Sequence, residues 1–444
     1  MNVLIYDGSH AGDGMAARLG DALRAQLVAR GWQAETVVLR EQRIGNCAGD
    51  FYCWVRSPGL CNTDDDNRLI AARMMHSDLL VYLTPVTFGG YSSALKRMVD
   101  HQIQNILPLF TTVEGEVHHQ KRYQRYPNLL VFGWMDRPDE RAAAVFRHLV
   151  QRNAINMHAE TSVCQVIAAD APDAALAQQA GAWLEAIQRG QSSPRVSLPM
   201  AAASGPAAGA PRAATPVRRA LLLVGSPRTR KSTSASLGGY LTEQLAARGV
   251  ETETLQIYTA FSSRERARAA LAAVDAADLL VLAFPLYVDA LPAPVVAALE
   301  AIVANRRAGA ARPGRLAAIA NCGFPEAAHN ATALAICAEF ARQAGLGWLG
   351  GLALGGGEGL VHGAPLVELG GRGAAIRQSL DLAAAELAEG RPIPQSARDR
   401  LARSVIPSWL YRLMGGYGWR QQASRYGMQH NLRRQPYLSI THER

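Results

Sequence analysis

The sequence predicts an α/β protein made of two tandem domains, each a doubly wound parallel five-stranded sheet with helices on both faces. Three observations carry that expectation. The chain has 444 residues, too many for one ordinary domain and comfortable as two. One plan of strands and helices is written twice at low identity. Between the copies, Gln191 to Thr215 is dense in Ala, Pro, Gly and Ser, a linker composition that buries little. The boundaries that follow are 1–190 for a first domain with a cysteine-bearing insertion, 191–217 for the linker, 218–390 for a second domain and 391–444 for a basic, aromatic tail.

The first strand, NVLIYDGS, is answered by RALLLVGS in the second copy, and the second strand, RGWQAETVVL, by RGVETETLQI. HSDLLVYLTPVTFGG pairs with AADLLVLAFPLYVDA as the third strand and its loop, and YPNLLVFGW with GRLAAIANCGF as the fourth. The glycine cluster LALGGGEGLVHG follows the fifth strand of the second copy. Between strands, GMAARLGDALRAQLVARG and SASLGGYLTEQLAARG place apolar residues at three-to-four spacing and end on Gly, as helices do. Continuously apolar strands alternating with helices imply parallel sheets covered on both faces. Ligands of such sheets sit at the carboxyl ends of the strands, so the loops there are the candidate site.

Composition narrows the function. No run of about eighteen apolar residues and no leader-like start is present, which favours a cytoplasmic protein with reduced thiols. Six unevenly spaced cysteines do not form a disulfide framework. The net charge is +9, but beyond Pro392 nine arginines face two acids, so the tail nearly accounts for the excess and no nucleic-acid partner is expected. In that tail Trp409, Tyr411, Tyr417, Trp419 and Tyr426 mix with arginines, which suits a peripheral membrane contact, an acidic partner, or a helix packed on the protein with its arginines in water.

Three loops per copy carry the candidate site. After the first strand of the second copy, GSPRTRKSTSASL sets Ser226, Arg228, Lys231, Ser232, Thr233 and Ser234 at a helix N-terminus. Backbone N–H groups, the helix dipole and the two cations make a phosphate cradle. A nucleotide-triphosphate loop would need Gly where Arg230 stands, so one terminal phosphate fits better; N-capping by Ser232 or Thr233 is the structural alternative. The first copy, GSHAGDGMAARL, keeps Ser9 but offers His10 in place of Arg and sets Asp13 where an anion would lie. After the third strands, Thr84, Pro85, Val86, Thr87, Phe88 and Gly89 in one copy, and Pro285, Leu286 and Tyr287 in the other, form Pro-fixed turns with an aromatic able to hold a flat ring by stacking and backbone hydrogen bonds. Asn321, Gly323 and Glu326 follow the fourth strand beside the same crevice, while Cys322 reads as an inert core thiol.

With these loops in place, the chain resembles the flavodoxin-like NAD(P)H-dependent FMN reductases. GSPRTRKSTS is similar to that family's phosphate loop, and TPVTFGGYSSALKRMVD to its isoalloxazine loop, although Thr87 and Phe88 replace the usual Tyr pattern and His101 replaces an Arg. The resemblance implies FMN as cofactor, NADPH or NADH as reductant, and a small-molecule electron acceptor such as a quinone or another flavin. The flavin supplies the chemistry, so no catalytic side chain is required. Relatives of this type are usually dimers, which implies a homodimer or an intrachain pseudo-dimer. The rival expectation is a non-catalytic electron carrier or binding protein with one or both flavin sites degenerate.

From Ser9 to Pro85 the first copy uses about seventeen more residues than the second does from Ser226 to Pro285. The surplus holds NCAGDFYCWVRSPGLCNTDDD, which resembles an element of flavoproteins related to the iron-sulfur flavoproteins. Cys47, Cys53, Trp54, Pro58, Gly59, Cys61, Asp64 and Asp65 match it, but Asp50 stands where a cysteine belongs. Three thiolates and a carboxylate are a poor cluster set, so no metal is expected. A thiol redox role stays open beside the favoured reading, a structural lid whose Trp54 and Phe51 cover the flavin or the other copy, with Asp64 capping the next helix.

Overall fold

The computed structural model describes residues 1–198, 215–229, 231–309, 312–404 and 406–438. Most of the linker, residues 199–214, and Arg230 lie outside the described residues. The chain forms two compact units: Met1–Ser197 together with Trp409–Arg444, and Leu198–Ser408.

The first unit runs β1 (Asn2–Asp7), α1 (Met15–Ala29), β2 (Gln33–Val38), α2 (Tyr52–Val55), α3 (Asp66–His76), β3 (Leu79–Pro85), α4 (Ser93–His101), β4 (Ile106–Val113), β5 (Glu116–Lys121), β6 (Asn128–Met135), α5 (Glu140–Asn156), β7 (Ser162–Ala168) and α6 (Asp173–Gln188). The second runs β8 (Arg219–Val224), α7 (Thr233–Ala246), β9 (Glu251–Gln256), α8 (Ile257–Ala260), α9 (Arg264–Ala276), β10 (Leu279–Pro285), α10 (Ala293–Ala308), β11 (Gly314–Asn321), α11 (Ala331–Gln343), β12 (Leu346–Leu354), α12 (Gly357–Leu360), α13 (Ala374–Ala388) and α14 (Gln395–Ala402). The sheet orders are β2-β1-β3-β6-β7 and β9-β8-β10-β11-β12, with every neighbouring pair parallel. Each is the doubly wound order 2-1-3-4-5, the flavodoxin-like arrangement.

Local sequence explains the elements. α1 buries Met15, Ala16, Leu19, Leu23 and Leu27, and α7 buries Leu237, Leu241 and Leu245, each one stripe of a 3.6-residue period. The central strands β3 and β10 are buried almost throughout, whereas the edge strands QAETVV and ETETLQ alternate polar residues and stay largely exposed or half-buried.

Two features of the first unit have no counterpart among the described residues of the repeat. One is the antiparallel hairpin β4–β5, whose two-residue turn takes left-handed geometry at Glu114 (φ 52°) and Gly115 (φ 87°). The other is the tail. α15 (Ser408–Ser424) follows α14, and residues 409–438 pack on the first unit: Ala423, Leu432 and Tyr437 are buried with Trp54, Val55, Ile106, Leu107 and Leu109 in or beside a satellite core. Arg122, itself buried, pins this segment. It donates to the carbonyls of Leu432 (2.9 Å) and Arg434 (2.8 Å), and to those of Gln104 and Ile106 at 3.0 Å each. Four carbonyls thus share one guanidinium, and its removal would cost each of them that bond.

This packing corrects the lid expectation. Phe51 and Trp54 stack on each other at 5.2 Å, and Trp419 meets Trp54 edge-on at 5.1 Å. The Trp54 indole donates to the carbonyls of Ile103 (2.9 Å) and Ile106 (3.1 Å). Both rings are thus occupied by the tail and the hairpin, which bury apolar surface that the insertion alone would leave wet. The helix cap is also corrected by one residue. Asp65 caps α3 by accepting from the Asn67 amide at 2.9 Å, and Asp64 instead pairs with Arg68 at 2.8 Å, one helical turn on.

Candidate functional site

Register makes the two copies comparable residue by residue. Gly8 donates to the Leu83 carbonyl and Gly225 to the Ala283 carbonyl, each at 2.8 Å, so Ser9 and Ser226 occupy equivalent places. A Cβ on Gly8 would lie 2.5 Å from Leu95 Cβ, and one on Gly225 would lie 2.5 Å from Val295 Cγ2. Both copies therefore need glycine here so that the loop can lie against the helix after the third strand.

In the second unit this loop is knitted to the loops beside it. Ser226, Ser232, Thr233 and Ser234 are all buried around the start of α7. Ser232 accepts from the Ala235 amide (3.1 Å) and donates to the Thr229 carbonyl (2.8 Å), so the capping alternative holds for that hydroxyl. Thr233 donates to the Gly357 carbonyl at 3.2 Å, and Asn321 donates to Ser234 Oγ (2.8 Å) and the Phe284 carbonyl (2.9 Å). Asn321 thereby clamps the ends of the third and fourth strands of this copy to the helix start. Arg228 pairs with Glu358 at 2.6 Å, and Glu358 also meets His362 Nδ1 at 3.1 Å. An open cleft of about 580 Å³ lies between the loop and the end of β9, lined by Arg228, Lys231, Thr254, Gln256, Thr259 and Arg266 among others, with no carboxylate in its lining. Three cations thus line this cleft, which none of the hydroxyls of Ser226, Ser232, Thr233 and Ser234 lines.

The ring loop is more self-contained than its sequence suggests. The amides of Leu286 and Tyr287 are spent internally, on the Asn321 carbonyl (2.7 Å) and the Ala290 carbonyl (2.9 Å), so they are not the backbone donors proposed for a flat ring. Tyr287 stays half-buried beside Pro285 and Leu286, and Gly323 faces open space. Val288 (φ 43°) and Asp289 (φ 59°) both hold left-handed geometry, strain of the kind that collects at ligand clamps. Glu326 turns away to Ser408 (2.8 Å) and His329 (3.5 Å). Burial pushes its carboxyl up, but those two contacts outweigh it and hold the group below its ordinary value. Burial drives the Cys322 thiol up to about 12, as befits an inert thiol.

The first unit fills the same places with its own side chains. Ser9 is buried and its Oγ accepts from Arg40 (2.9 Å), while Arg40 also pairs with Asp7 (3.1 Å), whose other oxygen accepts from the Ser9 amide (2.8 Å). Asp13 accepts from the Met15 amide at the start of α1 (2.9 Å) and from the Trp134 indole (2.9 Å). Trp134 pairs with Pro85 as Asn321 pairs with Pro285, so the residue that reaches toward the helix start in each copy is known by register. A carboxylate thus stands at the helix N-terminus where the second copy presents hydroxyls. Thr84 is buried and accepts from the Ser92 amide at 3.1 Å, and the Val86 and Thr87 amides bond the Trp134 and Gly90 carbonyls at 2.9 Å each. Phe88 falls one turn position later than Tyr287, at φ 55°, and is buried; Gly89 packs so tightly on α5 that a Cβ would lie 2.8 Å from Val145 Cβ. Phe88 therefore offers no open face for stacking.

Sequence reasoning passed over Asp7, Arg40, Trp134, Glu358 and the Thr254–Arg266 side of the cleft. The lone acid ending a first strand whose buried middle, Val3 to Tyr6, is apolar or aromatic was the available signal for Asp7 and a cationic partner.

Two doubly wound parallel sheets of order 2-1-3-4-5 define a flavodoxin-like protein. The sequence matches the NADPH-dependent FMN reductase family over residues 1–123 and 218–355, more than half of the chain, and the chain belongs to that family. Membership carries FMN as cofactor and a reduced nicotinamide nucleotide as reductant. Among solved structures, the chain is similar to an NAD(P)H:quinone oxidoreductase from Methanothermobacter marburgensis, at 14% identity over 42% of this chain and 96% of that one, with a TM-score of 0.34. It is also similar to an FMN-dependent NADH-azoreductase from Bacillus anthracis, in complex with FMN, at 14% identity over 38% of this chain and 100% of that one, with a TM-score of 0.30. Comparison with curated proteins finds no match. Among the described residues no helix is long and apolar enough to cross a membrane.

Proposed function

We propose that this protein is an FMN-dependent NAD(P)H oxidoreductase whose flavin phosphate is held by the second unit. Bound FMN would supply the redox chemistry, taking two electrons from the nicotinamide and passing them to a small acceptor such as a quinone or another flavin. The observation that carries the reading is the asymmetry of the two helix starts: hydroxyls with Arg228 and Lys231 at α7, against the carboxylate of Asp13 at α1. Ser226, Thr233 and Ser234 would orient the phosphate, with Arg228 and Lys231 neutralising it. Asn321 would hold the ends of β10 and β11 in register beneath the ring, and Pro285, Leu286 and Tyr287 would border it. The residues present fit the group, because the donor set is cationic and hydroxylic and a Cβ on Gly357 would come within 3.2 Å of Thr233 Cγ2 and Asn321 Cβ. All six cysteines are free, which agrees with a cytoplasmic setting.

Purification without added cofactor, followed by release and quantification of flavin, tests this directly. We expect about one FMN per chain and bleaching of its visible absorption by NADPH or NADH under anaerobic conditions. A colourless protein that takes up no FMN sinks the proposal. One that binds FMN but is not reduced by either nucleotide is instead the non-catalytic carrier.

The tail supports a second, independent reading. Trp409, Leu413, Met414 and Tyr417 on α15 are all more than half exposed, with Arg412 and Arg420 on the same helix. Co-sedimentation with anionic vesicles, lost in Trp409→Ser/Leu413→Ser, is the outcome expected of a peripheral membrane contact; no binding by the parent protein removes it.

A further inference from the structure

The cysteine insertion is not absorbed by the flavin site, and its geometry singles out one thiol. Cys61 Sγ lies 3.5 Å from Nδ1 of His101, and His101 Nε2 lies 2.9 Å from the Gly45 carbonyl. A carbonyl only accepts, so Nε2 carries the hydrogen and Nδ1 of the neutral ring presents its lone pair to the thiol. The imidazole is thus oriented as a base toward Cys61. Its ring is buried while Cys61 stays half-buried, reachable from solvent. The pair is held from several sides. The Cys61 amide donates to Gln104 Oε1 (2.9 Å), Arg68 Nε donates to the Cys61 carbonyl (2.8 Å), and Tyr437 of the tail donates to the same Gln104 oxygen (2.6 Å). Asp65 holds the Gly45 amide at 2.8 Å and so fixes the carbonyl that orients the ring.

We propose that Cys61 and His101 form a reactive thiolate site that hydroperoxides oxidise, built entirely from the first unit. Cys61 thiolate attacks the terminal oxygen of a hydroperoxide; the S–O bond forms, the O–O bond breaks, and the sulfur gives up two electrons. The leaving alkoxide or hydroxide takes the proton from the His101 imidazolium and departs as an alcohol or water, leaving a sulfenic acid on Cys61.

Electrostatics agree with this division of roles. Burial pushes the Cys61 thiol up, but its bond to His101, the charge on that ring and the Thr63 contacts outweigh it and leave the group below its ordinary value. Burial pushes His101 down, and Cys61, the Gly45 carbonyl and Asp100 more than reverse this. Burial drives Cys47 up to about 12 and raises Cys53 as well, so Cys61 alone of the three is held below its ordinary value. The ionisable groups around the pair are Cys47, Cys53 and Asp50 of the insertion, Asp65 and Arg68 at the start of α3, Asp100 of α4 and Tyr437 of the tail. Among the described residues no group of three or more His, Cys, Asp and Glu side chains is placed to hold a metal.

The test uses the full chain and isotope-coded iodoacetamide, with labelling rates read for each cysteine by peptide mass spectrometry across a pH series. At neutral pH Cys61 should label about tenfold or more faster than Cys47 and Cys53, with its rate levelling at lower pH. In His101→Asn the Cys61 rate itself should fall about tenfold and level only at higher pH, while Cys47 and Cys53, held up by burial, stay slow. One equivalent of hydrogen peroxide should yield a dimedone adduct on Cys61, and none in Cys61→Ser. If Cys61 in the unmutated protein labels no faster than the other two, or peroxide leaves it reduced, the proposal is overturned. Flavin content measured in the same samples separates this result from the fate of the flavin reading, because no residue of this site belongs to the second unit.

Discussion

Replacing Arg228 with Ala is the sharpest probe of the proposed phosphate site. Arg228 lies in the loop before α7, and its guanidinium meets Glu358 at 2.6 Å, with the two side chains 31% and 37% exposed. A pair that exposed contributes at most about 1 kcal/mol to stability, so the fold should survive. Toward a phosphate dianion the same guanidinium makes a hydrogen bond to a charged group, worth about 1.5–3 kcal/mol. Its loss therefore predicts FMN binding weaker by about 10- to 150-fold. The substitution also leaves the Glu358 carboxylate beside the anion without its cation. Adding Glu358→Gln should therefore recover part of the loss, about two- to fivefold, and the double-mutant cycle isolates that coupling. Fluorescence quenching of FMN titrated with apoprotein measures all four affinities. Ser9→Ala, in the first unit, serves as the comparison and should leave the dissociation constant unchanged. An Arg228→Ala protein that binds FMN within about twofold of the parent, or a Ser9→Ala protein that binds as weakly as Arg228→Ala is meant to, refutes the reasoning.

Three further outcomes follow from the packing. Gly225→Ala would set a Cβ 2.5 Å from Val295 Cγ2 and 3.0 Å from Phe284 Cβ, and should cost the second unit about 1–3 kcal/mol by urea titration, whereas Gly239→Ala in α7, with nothing within 4 Å, should gain up to about 1 kcal/mol. Lys96 and Asp100 form an ion pair with side chains 1% and 2% exposed; Lys96→Met should destabilise the first unit by about 3–5 kcal/mol, and Lys96→Met/Asp100→Leu should regain most of it, because a lone buried carboxylate costs more than an apolar pair. Burial, helped by the charge of Lys121, drives His158 down to about 4; the unfolded chain takes that proton near pH 6.5 and the folded chain only near 4, so the first unit should lose stability as pH falls through that window, and His158→Asn should flatten the slope of midpoint against pH.

The fold was legible because its determinants are local. Apolar strands and the three-to-four spacing of Leu237, Leu241 and Leu245 act within a few residues, whereas the glycines closing each first strand are demanded by Leu95 and Val295, far along the chain. The β4–β5 hairpin was equally local, with Glu114-Gly115 between alternating residues, but it has no partner in the second copy and comparison of the copies hides it. At the candidate site the hydroxyl-capped start of α7 was legible, and the packing of the turns after the third strands less so. Phe88 and Tyr287 look equivalent as aromatics after a proline, yet they differ by one turn position, and in a turn of two left-handed residues that step carries a ring from the crevice edge into the core. The lid reading failed for a reason no local pattern could reveal, since Trp419, which covers Trp54, lies in the tail. Among three consecutive aspartates, only the backbone decides that Asp65 rather than Asp64 caps α3.

The two copies share one set of constraints and differ in another. Gly8 and Gly225 answer the same steric demand, and the third-strand turns close with the same hydrogen bonds, so these features follow from strand–helix packing whatever is bound. The charged groups diverge. At the start of α1 the helix dipole already has its anion in Asp13, and Asp7 is matched by Arg40, so the first unit is complete by itself. A phosphate placed there would meet two carboxylates. At the start of α7 the nearby groups are hydroxyls, an arginine partly neutralised by Glu358, and Lys231, which leaves an excess of positive charge that a bound anion would complete. Binding energy at such a site adds to the stability of the unit that holds it, about 2.7 kcal/mol when the ligand stands at a hundred times its dissociation constant. Under the proposed assignment, saturating FMN should therefore raise the melting temperature of the second unit and leave that of the first where it was, because the first has put its own side chains where the second would put a ligand.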